Sequence, residues 1–142
     1  MKIMSRFQWT RSREVFVEEL DAQHRSLYQA ADALHCAIPS GTDTPRIVEL
    51  LRALMAAAEE HFAHEERLMR SSRYPAYEWH KQQHDTVRKR LSQFVPRIES
   101  GENDAATLLL EFLSGWLKDH TGVTDRLLGA HLRSYYRVRA AS

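Results

Sequence analysis

At 142 residues, 43% hydrophobic and 27% charged, the chain has the size and composition of one soluble globular domain able to bury a core. Its 20 Lys and Arg against 19 Asp and Glu leave a formal charge of +1, which gives no case for a nucleic-acid or anionic-membrane partner. A single cysteine, Cys36, excludes an intrachain disulfide and a cysteine-built zinc site. The start, MKIMSRFQWTRSREV, lacks the apolar region of a secretory signal, and no stretch nears the roughly 20 apolar residues of a membrane span. The expected compartment is therefore the cytoplasm.

Residues 1–19 read as an irregular arm. Trp9, Val15, Phe16 and Val17 are apolar enough to pack, yet they show no sustained helical period. A helix begins near Glu18 to Asp21, with the stripe Leu20, His24, Leu27, Ala31, Leu34, Ile38 stepping by three and four. The Pro39–Asp43 run is a loop, and Thr44 before Pro45 reads as an N-cap and first helical residue. The second helix, to about Arg70, has the stripe Ile47, Leu50, Leu54, Ala57, His61, Glu65, Leu68. After a break from Ser71 to Pro75, a third helix follows with Tyr77, His80, His84, Val87, Leu91, Phe94, Ile98; Pro96 should kink or end it near its last turn. Residues 100–104 turn the chain into a fourth helix carrying Leu109, Leu113, Trp116, Leu117 and His120. Four amphipathic helices on short loops predict an all-α, antiparallel up-down-up-down four-helix bundle, with the N-terminal arm and a short C-terminal helix or tail.

Beyond His120 the phase changes. A regular period would face Thr124, Leu127, His131 and Ser134 to the core. A slip of one residue faces Asp125, Leu128, Leu132 and Tyr135 or Tyr136 there instead, a more apolar set apart from the Asp. His120 and Asp125 are separated by about 140° on a regular helix. One inserted residue would bring them together, so the sequence predicts a π-type turn or break near Gly122.

The eight histidines are not scattered. His61 opens an H-x3-E pair with Glu65, His80 and His84 form an H-x3-H pair, and His120 closes W-L-K-D-H. Residues four apart lie within about 40° of each other on one helix face. One histidine on an apolar stripe is usually a satisfied core residue. His24, His61, His80, His84 and His120, on four stripes, would each need a partner in an apolar interior, which a shared metal centre supplies together. With Glu65 and Asp125 they make seven candidate ligands, too many for one tetrahedral zinc. Imidazole and carboxylate suit Fe, Zn, Cu, Ni or Mn, and two carboxylates able to bridge describe a two-metal site. If one metal takes three imidazoles and the other two, the second keeps an open position.

The order W…D-x-Q-H, H-F-x-x-E-E-x-x-M, Y-P…H-x3-H and W-L-x-x-H-x4-D resembles the hemerythrins, specifically the single-domain bacterial ones, from Trp9 to about Leu132. The resemblance implies a single hemerythrin-like domain over 1–142: arm 1–19, bundle 20–132 and tail 133–142. It implies reversible O2 binding at a non-haem di-iron centre by an oxygen carrier, store or local supplier. Carried over, His80, His84 and His120 hold one iron, and His24 and His61 hold the other, which has the open position. Glu65 and Asp125 bridge the two iron ions (Fe2+/Fe3+), with an oxo or hydroxo group. Leu27, Phe62, Trp116, Leu117 and Thr121 line the O2 pocket. Two positions depart from the family. Phe16 stands where a Gly is usual, which bears on the arm. Thr121 stands where an Ile is usual; its hydroxyl can admit water or hydrogen-bond a ligand, and faster autoxidation than in an Ile-bearing variant is expected.

The alternatives are an O2 or redox sensor acting through a protein partner and a di-iron peroxidase or oxidase. No attached output domain is expected, which weighs against a self-contained sensor, and di-iron oxidases favour E-x-x-H motifs over a histidine-rich set, so the expectation is a binding protein and not an enzyme. His64 is about 60° off the His61 direction and reads as surface or supporting. His35 and His131 are expected to be partly exposed, Cys36 ordinary, Glu66 solvated, and Leu50, Leu54, Leu91 and Leu113 core. Arg133, Arg137 and Arg139 are expected to decorate the terminus.

Overall fold

Helical periodicity carries the architecture. The protein is described by a computed structural model covering residues 7–141; residues 1–6, the beginning of the expected arm, and Ser142 lie outside the described residues. The helices are α1 (Glu18–Ala37), α2 (Thr44–Ser71), α3 (Tyr77–Glu99), α4 (Ala105–Asp119) and α5 (Asp125–Ala140), with no strand among the described residues. α1 packs on α2, α2 on α3, α3 on α4 and α4 back on α1, closing the four-helix ring expected from the short loops. A π turn over His120–Thr124 joins α4 to α5, so the two form one rod with a phase change, at the place the sequence demands it. α5 runs on to Ala140, so residues 133–140 are its last turns.

Boundaries follow local chemistry. α2 starts one residue earlier than the Thr44–Pro45 signal suggests. The Asp43 carbonyl already accepts from the amides of Arg46 and Ile47, so Asp43 is the N-cap and Pro45 lies inside the first turn. α3 continues through Pro96 and stops at Glu99, within one turn of it. Along α2 the buried face is wider than one row: Val48, Leu51, Ala58, Phe62, Glu66 and Met69 are buried beside Ile47, Leu54, His61 and Glu65, whereas Leu50, Ala57 and Leu68 are half-buried. Leu50 thus sits at the core's edge and Leu54, Leu91 and Leu113 within it.

The apolar core is split. The larger part, with Leu51, Leu54, Leu91, Phe94, Leu109 and Leu113, fills one end of the bundle. A smaller cluster, Val15, Val17, Leu20, Met69, Leu128 and Leu132, fills the other. On α1, His24 falls between Leu20 of one cluster and Leu27 of the other. On α2, His61 and Glu65 fall between Ala58 and Met69, and on the last rod His120 and Asp125 fall between Leu117 and Leu128.

The arm is pinned to the smaller cluster. Asp21 is buried, and its carboxylate accepts from the amides of Val15 at 2.8 Å and Phe16 at 3.2 Å. Arg133 of α5 donates to the Val15 carbonyl, so this arginine anchors the arm instead of decorating the terminus. Phe16 is 63% exposed and has φ +63°. That left-handed conformation costs an L-residue roughly 1–2 kcal/mol and suits glycine. Gly129 of α5 faces the arm so closely that a Cβ there would lie 2.6 Å from the Val15 carbonyl oxygen. Two stability changes follow, each read by chemical unfolding of the full chain. Phe16→Gly should stabilise by up to about 1 kcal/mol, the relieved strain being partly offset by the entropy of an unfolded glycine. Gly129→Ala should destabilise by about 1–3 kcal/mol, because backbone must move to admit the methyl group.

Candidate metal centre

Each helix delivers its polar residues by simple spacing. His61 and Glu65, and His80 and His84, lie one turn apart on α2 and α3, and His24 sits mid-stripe on α1. The π turn makes the remaining pair: the Asp125 amide donates to the His120 carbonyl five residues back, which turns both side chains inward. All seven residues are buried, none more than 3% exposed.

Their inner atoms converge. His24 Nε2 lies 2.8 Å from Asp125 Oδ2 and 3.1 Å from His61 Nε2, and His61 Nε2 lies 3.2 Å from Glu65 Oε1. On the other side, Asp125 Oδ1 lies 3.0 Å from His120 Nε2 and 3.1 Å from His80 Nε2, while Glu65 Oε1 lies 3.1 Å from His84 Nε2. The ligand atoms form two compact groups, one of Glu65, His80, His84 and His120, the other of His24, His61, Glu65 and Asp125, each within 4.8 Å. Glu65 belongs to both, and the two oxygens of Asp125 face opposite groups.

Two of these approaches, His24 to His61 and His84 to Glu65, are hydrogen bonds, but most of the inner atoms are left without one. Glu65 Oε2, His80 Nε2, His120 Nε2 and both Asp125 oxygens are buried without a hydrogen-bond partner. Each such orphan costs roughly 1–3 kcal/mol. Atoms aimed at a common point, and not at one another, fit cations placed between them, and the donor set of imidazoles and carboxylates suits first-row transition metals.

Electrostatics within the protein alone agree. Burial pulls the His61 and His120 imidazoles down, but the facing Glu65 and Asp125 carboxylates outweigh it and push them up to about 9 and about 10. Burial likewise opposes ionisation of Glu65, yet the His61, His120 and His80 rings hold its carboxyl well below the usual range. Asp125 is held low against burial and the Glu65 charge by His120 and His24. His84, dominated by burial, goes down. Carboxyls held low in this way favour the ionised form, the form a metal site requires.

The outer nitrogens show what spacing alone did not. His84 Nδ1–H donates to Glu66 Oε2 at 2.8 Å, and Arg88 Nη1 donates to the same oxygen at 2.9 Å. His61 Nδ1–H donates to Gln23 Oε1 at 2.8 Å. His120 Nδ1–H lies 3.4 Å from Gln83 Oε1, which also accepts from Thr124 Oγ1 at 3.0 Å. These bonds direct Nε2 at the centre. Glu66 is 7% exposed and belongs to this support, which corrects its reading as a solvated residue. Gln23, Glu66 and Gln83 each adjoin a candidate ligand in sequence (His24, Glu65, His84) and bond a candidate ligand on a neighbouring helix. That polar neighbour was the available signal.

The remaining histidines stand apart. His64 pairs with Glu19 at 3.4 Å on the flank. His35 packs on Phe7, and His131 bonds the Ser72 carbonyl at 3.0 Å, both half-buried. Cys36 is exposed. Of the expected pocket residues, Leu27, Phe62, Trp116, Leu117 and Thr121 are all buried. The Phe62 ring stacks on His84 with centroids 4.2 Å apart and meets Trp116 at 5.8 Å. The Thr121 hydroxyl is already engaged by the Leu117 carbonyl and Tyr28.

The profile of the hemerythrin HHE cation binding domain matches residues 15–132. The chain belongs to the hemerythrin family. It is 29% identical to a bacteriohemerythrin of Stenotrophomonas maltophilia, over 91% of this chain and 86% of that one. It is also 29% identical to a myohemerythrin of Theromyzon tessulatum, over 84% and 88%. A bacteriohemerythrin of Pseudomonas paraeruginosa is 30% identical, over 82% and 75%. Membership in a cation-binding family accounts for the buried charges of this hemerythrin, and it sets an energetic expectation. Divalent-metal loading at about a thousandfold excess over Kd should stabilise by roughly 4 kcal/mol. The thermal midpoint should rise on the order of 10 °C, reverse on chelation, and be read by circular dichroism with and without Fe(II) under anaerobic conditions.

Proposed function

We propose that this hemerythrin binds O2 reversibly at a non-haem di-iron centre and serves as an oxygen carrier, store or local supplier. The observation that carries the reading is the unequal division of the imidazoles, three in one group and two in the other, about a shared Glu65. His80, His84 and His120 would hold one iron, His24 and His61 the other, with Glu65 and Asp125 bridging. The two-imidazole side is left one ligand short, and that is where a diatomic would enter. Bound ferrous ions supply the electrons by which O2 is held.

What the chain itself contributes is orientation and dryness. Gln23, Glu66 and Gln83 fix the ring planes of His61, His84 and His120. Leu27, Phe62, Trp116 and Leu117 exclude water, which otherwise promotes loss of bound oxygen as a reduced species. The two inward carboxylates are both committed to bridging, which favours binding over acid–base turnover. Names of relatives as bacteriohemerythrin and myohemerythrin agree with this reading. No helix among the described residues is long and apolar enough to cross a membrane.

The test is direct. The protein, reconstituted anaerobically with two Fe(II) per chain, is exposed to O2 and then flushed with argon. An oxygenated absorption spectrum that forms and disappears over repeated cycles is expected. Steady consumption of O2 with an added reductant would instead assign it to the oxidases, and failure to retain iron would overturn the metal reading.

A further inference from the structure

The π turn has a support that the ligand set does not explain. Its approach ends at the Leu117 carbonyl, which accepts from the Thr121 hydroxyl four residues on and from the Tyr28 hydroxyl at 3.1 Å. The two hydroxyl oxygens are themselves 2.9 Å apart. All of this is enclosed: Tyr28 is 1% and Thr121 2% exposed. Tyr28 belongs to α1, one turn beyond His24, whereas Thr121 follows His120. The arm closes the outer side, where the Arg13 guanidinium lies 4.7 Å from the centre of the Tyr28 ring.

A threonine that bonds back to the carbonyl four residues earlier bends a helix, but its hydroxyl is free to rotate to another acceptor. A second hydroxyl from a different helix limits that freedom: with two protons among three oxygens, either both hydroxyls donate to the carbonyl or one donates to the other, which donates to the carbonyl, and each arrangement joins α1 to this turn. We propose that Tyr28 is a positioning residue. Through Thr121 and the Leu117 carbonyl it ties α1 to the onset of the π turn, and so holds His120 and Asp125 in the register where they face His80 and His24. The clamp is a property of the protein without metal; its effect on iron rests on the metal-centre reading above.

The experiment measures amide hydrogen exchange on the metal-free full chain. Tyr28→Phe keeps the ring and removes the hydroxyl; Thr121→Val removes the partner; Thr121→Ser keeps it. Tyr28→Phe and Thr121→Val should each accelerate exchange about tenfold across residues 120–125 and leave α2 and α3 at wild-type rates, while Thr121→Ser stays near wild type. Titrated anaerobically with Fe(II), the first two should bind about three- to tenfold more weakly. Wild-type exchange at 120–125 in Tyr28→Phe, or acceleration spread equally over α2 and α3, would overturn the clamp. Wild-type protein that takes up no Fe(II) would overturn the metal reading instead, and the exchange rates would still decide the clamp.

Discussion

Five imidazoles and two carboxylates enclosed in an apolar bundle are the constraint on which this structure depends. They form a polar layer between two hydrophobic clusters, so neither end of the bundle can slide or rotate without moving ligands. Left to themselves these groups neutralise one another only in part. Several oxygens and nitrogens remain without hydrogen-bond partners, and raised imidazoles beside depressed carboxylates keep charge in the interior. A layer of this kind is tolerated where a cation completes it. The core on either side is correspondingly apolar.

The outward-facing nitrogens of three of the five rings are settled by a different device, while Nδ1 of His24 and of His80 is buried without a partner. Three candidate ligand rings donate through Nδ1–H to a residue beside another candidate ligand in the sequence, and that residue lies on the adjoining helix each time: Gln23 for His61, Glu66 for His84, Gln83 for His120. Helix-to-helix orientation and ligand orientation are therefore the same variable. The carboxylate of Glu66 differs from the two amides. It is shared with Arg88, which also grips Glu59 and Asp85 at the surface, so His84 is tied to a charged network and the other two rings to neutral groups.

The fold and the inner site were legible because both are written in spacing. Apolar stripes at three and four residues give four rods, and i, i+4 pairs of His and Glu within those stripes can only point inward. Even the π turn was legible, since His120 and Asp125 cannot meet on a regular helix while Leu128 and Leu132 also reach the core. What was not legible depends on the relative rotation of two helices. Glu66 follows Glu65 by about 100°, and a helix wheel places it beside the stripe, where it is either solvated or second to a ligand according to how closely α3 approaches. The hydroxyls of Tyr28 and Thr121 meet across 93 positions of sequence separation, which no local pattern encodes. Phe16 misleads in the other direction. An exposed aromatic is held at φ +63° by Asp21 and Arg133, against its own preference.

The phase change in the last rod connects these features. Inserting one residue rotates everything after it by about 100° relative to α4. Asp125 is thereby brought inward, and Leu128 and Leu132 come with it into the smaller cluster, while Val123 and Leu127 are turned out to 60% and 53% exposure. Gly129 lands against the arm at Val15, and Arg133 reaches the same carbonyl. The arm, lying over α1, returns to Tyr28 through Arg13. A single irregularity chosen for a carboxylate thus also fixes where the second apolar cluster forms and what covers it. The exposed Leu127 and Val123 are the apolar surface left by a register that buries Asp125, Leu128 and Leu132 instead.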